Sequence, residues 1–221
     1  MSVIEVVSPI DGTKMAVGAT AGAVEVESAL AQAEQAYSSW KRSSNEERAR
    51  LVTALADELI RRKDDLVRAL TRSIGRPASQ ADETARFKAV TQTQIEGLLQ
   101  IGEEKYTSDG SVTRFTRRGS QGVHLSIAPW NYPVGMLPWL IVTPILAGNT
   151  VILKHAAQTT EVGRIVAEAY AAINGSIGVL QVLELSHDQV DGIIRSGRVK
   201  GVNFIGSVAG GLAIHRSAAG T

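Results

Sequence analysis

Apolar positions first recur at helical spacing. Val26, Ala29, Leu30, Ala33, Ala36, Tyr37 and Trp40 share one face of a first amphipathic helix that opens at Ala23. Ser44 with Glu47 three residues on forms a capping box, each side chain satisfying a backbone N–H that a helix start leaves free. It opens a second, longer helix whose stripe runs Leu51, Leu55, Leu59, Leu66 and Leu70 and which Gly75 and Pro77 end. Its charges, such as Arg61-Arg62-Lys63-Asp64-Asp65, read as a solvated face. Ala78 to Glu104 predicts a third helix with a weaker stripe at Phe87, Ile95 and Leu98. Ahead of the helices, Val3 to Val7 alternates weakly up to the turn Pro9-Ile10-Asp11-Gly12, a pattern that fits a short edge strand or hairpin.

The period then changes to two. Asp109-Gly110 is a turn signal, and Val112 to Arg118 alternates as a half-exposed strand would. Carrying Arg114, Arg117 and Arg118, that strand reads either as a pairing edge for another subunit or as an edge guarded by charge. Beyond Gly119 and Gly122, Val123 to Ile127 predicts a buried strand. Ser126 to Lys154 reads as strand, turn, buried helix, turn and strand, with the polar residues at the junctions. Strand and helix then alternate: strands at Thr150–Lys154, Val179–Leu185 and Val199–Ile205, helices at Thr160–Ile173, His187–Arg195 and Ser207–Ala218. Such alternation implies a parallel sheet with helices on both faces, whose ligands sit at the carboxyl ends of the strands. Ala128 to Asn131, Lys154 to Ala157 and Gly206-Ser207 therefore share one rim.

Composition narrows the chemistry. The 221 residues carry 23 basic and 22 acidic side chains, so no global field points to nucleic acid. Cysteine is absent, which excludes disulfides, thiolate zinc sites and a thiol nucleophile from these residues. His124, His155, His187 and His215 lie too far apart for a local metal motif, and no metal is expected. The opening MSVIEVVSPIDG has no basic stretch of the secretory kind, and the most apolar run, Met136 to Gly148, is too short to span a bilayer. A cytoplasmic protein without membrane contact is the expectation.

On the rim, Gly206-Ser207-Val208-Ala209-Gly210-Gly211 joins a strand to a helix, where backbone amides and the Ser207 hydroxyl can meet a phosphate. The spacing is not that of the dinucleotide fingerprint, and the glycines equally suit close helix–strand packing. Lys154, at a strand end, can bond a ribose or a phosphate, or be an ordinary exposed lysine. Asn131, between Trp130 and Tyr132, can donate to a developing oxyanion or close an Asx turn.

Taken together, Pro129-Trp130-Asn131-Tyr132-Pro133, Gly148-Asn149-Thr150 leading to Lys154, Phe204-Ile205-Gly206-Ser207 and Gly75-Arg76-Pro77 resemble, in order and separation, the motifs of the aldehyde dehydrogenase superfamily. Lys154-His155-Ala156 with Leu185 to Val190 resembles its succinate-semialdehyde dehydrogenase-like branch. The resemblance implies an α/β chain in three parts: a helical region over 1–106, an oligomerisation-type β-hairpin over 107–122, and an incomplete Rossmann-like sheet over 123–221. It implies NAD or NADP as cofactor, with Ala128, Pro129 and Trp130 on the nicotinamide side, Lys154 at the adenosine ribose, His155, Ala156 and Ala157 after it in the cofactor site, and Gly206 and Ser207 at the pyrophosphate. Asn131 would be the oxyanion donor. A small aldehyde would be the substrate, and a homo-oligomer would form through the 107–122 edge.

Three features depart from the family, the least of them Ile205, where members usually carry Thr before Gly-Ser. Many members carry an acid three positions after the lysine, and here that position is Ala157, which would ease acceptance of a 2′-phosphate. The family also continues past the position of Thr221 into segments bearing its glutamate base and cysteine nucleophile. The chain therefore resembles an N-terminal portion, inactive alone. The alternative is a non-catalytic nucleotide-binding or oligomerisation module.

Overall fold

The computed structural model describes residues 2–100, 104–108, 110 and 112–221. Strands β1 (Val3–Val7) and β2 (Lys14–Ala19) form an antiparallel hairpin. Helices α1 (Ala23–Trp40), α2 (Asn45–Arg61), α3 (Lys63–Ile74) and α4 (Thr84–Leu99) follow. A second antiparallel hairpin pairs β3 (Glu104–Ser108) with β4 (Thr113–Thr116). The remainder alternates: β5 (Val123–Ile127), α5 (Thr143–Leu146), β6 (Thr150–Lys154), α6 (Thr160–Ala172), β7 (Leu180–Val182), α7 (His187–Arg195), β8 (Val199–Phe204) and α8 (Val208–Ala218). β5 to β8 make one parallel sheet in the order β7-β6-β5-β8.

Three helical expectations need correction. The long second helix is two helices meeting at Arg62, whose φ of −93° and ψ of 14° leave the helical region. Arg61 ends α2, and Asp64 and Asp65 open α3, so the charged run complements two helix ends. The third helix begins at Thr84 instead of Ala78, because the Asp82 carboxylate accepts from the Thr84 amide (3.0 Å) and hydroxyl (2.7 Å) and fixes the start there. Glu104, the expected last residue of that helix, belongs to β3, and the helix ends at Leu99. The strand expected over Val112 to Arg118 is limited to Thr113–Thr116, and Asp109 of the expected turn lies outside the described residues.

Both faces of the parallel sheet are covered, and side-chain alternation divides the core in two. Val151 and Leu153 pack with α2, α3, α4 and α6, whereas Ile152, Val123, Leu125 and Ile127 pack with α1 and α7. Between β5 and β6 the chain crosses the first core as a π-helical turn, Pro138–Val142, running into α5. Pro144 has no N–H to give the Leu140 carbonyl, and the Ser126 hydroxyl of β5 donates to it at 2.5 Å. The buried Trp40 indole donates to the Ile145 carbonyl (3.1 Å), and the Arg48 guanidinium to that of Leu146 (3.2 Å). These bonds satisfy carbonyls at the end of α5, whose Pro144, Ile145 and Leu146 are buried.

Candidate functional site: a cleft at the carboxyl rim of the sheet

Strand order reverses about β5, which continues to β6 on one side and receives β8 on the other, so the chain leaves a crevice at the carboxyl ends. Pairing persists past the strand ends. Ala128 donates to the Lys154 carbonyl (2.8 Å) and Ile205 to that of Ile127 (3.2 Å), which draws the three rim segments together. They line a cleft of about 950 Å³ containing Ala128, Pro129, Trp130, Asn131, Lys154, Ala156, Ala157, Gly206 and Ser207. The volume suits an extended organic ligand.

His155 is the exception among the rim residues, for it is not in the cleft lining. Alternation explains why: Lys154 shares the sheet face of Ile127, its β5 partner, and the next side chain points the other way. The His155 ring is fully buried against α6, and a Cβ on Gly163 would lie 3.0 Å from it. Neither ring nitrogen has a partner, and burial together with the Lys154 charge pushes its pKa down to about 3. It is a neutral core residue.

Asn131 is exposed, and its side-chain amide bonds to no described residue. An Asx turn is ruled out by the two residues that would supply its donors: Pro133 has no N–H, and the Val134 amide is already given to Glu83 (2.9 Å). Glu83 is the hidden support of this loop. The same carboxylate oxygen accepts from Gly135 (2.6 Å), and the other pairs with Arg76. The Arg76 guanidinium donates to the Asn131 carbonyl and lies 4.5 Å from the centre of the Tyr132 ring. Loop backbone and loop aromatic are therefore held from behind, while the amide faces the cleft free to donate. Arg86 instead stands over the Trp139 ring at 5.9 Å.

Lys154 is buried. Its ammonium donates to the His155 carbonyl (2.9 Å), and desolvation lowers its pKa against the opposing pull of Glu184. Ser207 caps α8, its hydroxyl oxygen accepting from the Gly210 amide at 3.1 Å. The Val208 and Ala209 amides of the first turn have no intrahelical acceptor and carry the positive end of the helix dipole. Gly206 and Gly210 are also required by packing, since a Cβ on either would fall 2.5 Å or 2.7 Å from the Phe204 ring. Close helix–strand packing therefore accounts for these two glycines.

Several contributors escaped the sequence. Ile4 and Thr20 of the first hairpin reach the cleft, a tertiary contact that no local pattern signals. Glu184, just past β7, also lines it, and its place at a strand end was a usable signal. No group of acidic, histidine or cysteine side chains suited to a metal ion occurs among the described residues. No helix among them is long and apolar enough to cross a membrane.

A four-stranded parallel sheet with helices on both faces and a cleft at its carboxyl rim defines an α/β protein, and the aldehyde dehydrogenase family model matches residues 1–221. The chain belongs to that family. It is 27% identical over 212 residues to a succinate semialdehyde dehydrogenase from Escherichia coli (strain K12), a match that covers 94% of this chain and 45% of the relative. It is 28% identical over 210 residues to a malonate-semialdehyde dehydrogenase from Listeria innocua, covering 92% and 42%. A salicylaldehyde dehydrogenase from Pseudomonas putida G7 superposes with a TM-score of 0.90 at 25% identity, over 99% of this chain and 46% of that one. The NADP-dependent glyceraldehyde-3-phosphate dehydrogenase of Bacillus halodurans, solved with NADP, gives 0.89 at 26% identity, over 97% and 47%. The chain spans about half the length of the curated relatives it matches.

Proposed function

We propose that this chain is the cofactor-binding portion of an NAD(P)-dependent aldehyde dehydrogenase acting on a small aldehyde. What carries the reading is the convergence of the unpartnered Asn131 amide, the buried Lys154 ammonium and the open first turn of α8 on one cleft. The solved relatives with NAD and with NADP bound support the same reading. The first-turn amides of α8 and the Ser207 hydroxyl suit a pyrophosphate, and a buried ammonium with two further protons to give suits ribose hydroxyls. When bound, the nicotinamide accepts a hydride.

The residues of this chain hold and orient. Pro129, buried, and Trp130, 58% exposed, offer an apolar wall that excludes water from the nicotinamide end. Asn131 donates from Nδ2 to oxygen on the reacting carbon as charge develops there, and needs no reorganisation because Arg76 and Glu83 already fix its backbone. The family's thiolate nucleophile has no counterpart among the 221 residues, which contain no cysteine. The relatives' names favour a semialdehyde as substrate. Self-association through the β3–β4 hairpin belongs to the same reading, supported by the exposed Phe115 on β4.

Isothermal titration of the 221-residue chain with NAD+ should show binding, while succinate semialdehyde with NAD+ should yield no absorbance from reduced cofactor. Failure to bind either NAD+ or NADP+ defeats the cofactor reading. Reduced cofactor formed by this chain alone defeats the assignment of the nucleophile to residues outside it.

A further inference from the structure

Among the described residues, the lysine, arginine, aspartate and glutamate side chains of the cleft come down to Lys154 and Glu184. They stand on neighbouring strand ends. The Leu183 amide donates to the Leu153 carbonyl (2.9 Å), which sets Glu184 beside the loop that follows Lys154. Each feels the other's charge, yet each has its own protein partner. Lys154 donates to the His155 carbonyl, and Glu184 Oε2 accepts from the Thr160 hydroxyl at 3.0 Å. That hydroxyl opens α6, so the carboxylate is also held near a helix N-terminus, where negative charge is favoured. Glu184 Oε1 accepts from no described residue.

A ligand group seated here has to give a proton to Oε1 and a lone pair to the ammonium. Vicinal hydroxyls do both, since each hydroxyl is donor and acceptor. A phosphate monoester does only the second, and brings its own negative charge against a carboxylate with no arginine in the lining to offset it. Ala157 brings no carboxylate to this cleft, and Glu184 brings one from just past the neighbouring strand.

We propose that Glu184 accepts the hydrogen bonds of the adenosine ribose and excludes a 2′-phosphate, so that this cleft takes NAD+ in preference to NADP+. The proposal rests on the cofactor reading above and can fail separately from it. Burial raises the Glu184 pKa, so the comparison belongs at about pH 8, well above the ordinary carboxylate range. Calorimetric titration of the 221-residue chain should give an NAD+ affinity about tenfold or more above that for NADP+. Glu184→Gln, with the fold checked by circular dichroism, should bring the two affinities to within about threefold, and Glu184→Asp should keep the preference. Binding of both cofactors without discrimination, a preference for NADP+, or a preference that survives Glu184→Gln overturns the assignment of Glu184 while leaving the cofactor site standing. Should Glu184→Gln fail to fold, the wild-type ratio still decides, because its absence is sufficient to overturn the proposal. If neither cofactor binds, both readings fall together.

Discussion

Replacing Glu83 by alanine removes the support of the Asn131 loop, and the structure sets the size of the effect. The Glu83 side chain is 3% exposed and that of its partner Arg76 15%. One carboxylate oxygen receives the Val134 and Gly135 amides at 2.9 Å and 2.6 Å, and the other receives Arg76. Breaking a buried ion pair by deleting one partner costs about 3–5 kcal/mol, because the surviving charge stays desolvated. Two buried amides left without an acceptor add to this, each costing about 1–3 kcal/mol where water cannot reach them. The contributions overlap, since the same carboxylate makes all of them. The expected loss for Glu83→Ala is therefore about 3–5 kcal/mol, read as a fall of about 1–3 M in the urea midpoint. Arg76→Ala should cost less, since Glu83 keeps both amides. The double variant should be less destabilised than the sum of the two, because the pair is lost only once. A loss below about 1 kcal/mol for Glu83→Ala refutes the argument that this carboxylate organises the loop.

Two further predictions follow from buried and exposed groups away from the rim. His155 has an ordinary pKa of 6.5 when unfolded and about 3 when folded. Below pH 6.5 the unfolded chain therefore takes up a proton that the folded one refuses, and stability is lost progressively as pH falls towards the folded value. Between about pH 7.5 and 5 this amounts to about 2 kcal/mol, which His155→Leu should abolish in paired urea titrations; parallel pH profiles for the two proteins would show that the ring does not stay neutral. For the hairpin, Phe115 is 62% exposed on β4, and Phe115→Ser should shift the chain towards monomer in sedimentation velocity. A wild-type chain that is already monomeric, or an unchanged distribution in the variant, counts against association through this edge.

The local order of the sequence determined most elements and which residues meet at the rim of the sheet. The buried strand Thr150–Lys154 and the helix His187–Arg195 have the bounds that their patterns predict, and capping fixes α2 through Ser44 and α7 through Ser186. Asn131, Lys154 and Ser207 line one cleft as the alternation of strands and helices implies, because the carboxyl rim depends on chain direction and connectivity alone. What tertiary structure decided were contacts across long separations. Ser126 relieves the carbonyl that Pro144 orphans, Glu83 reaches the amides of Val134 and Gly135, and Glu184 joins Lys154 in the cleft lining. His155 shows the same limit within a single step of chain: it adjoins a cleft residue, yet the pleat turns it into the core. Periodicity specifies which residues are apolar and which face they share. Which distant polar group meets which is set by the packing of the layers, because a hydrogen bond depends on the final positions of two atoms that no local pattern couples.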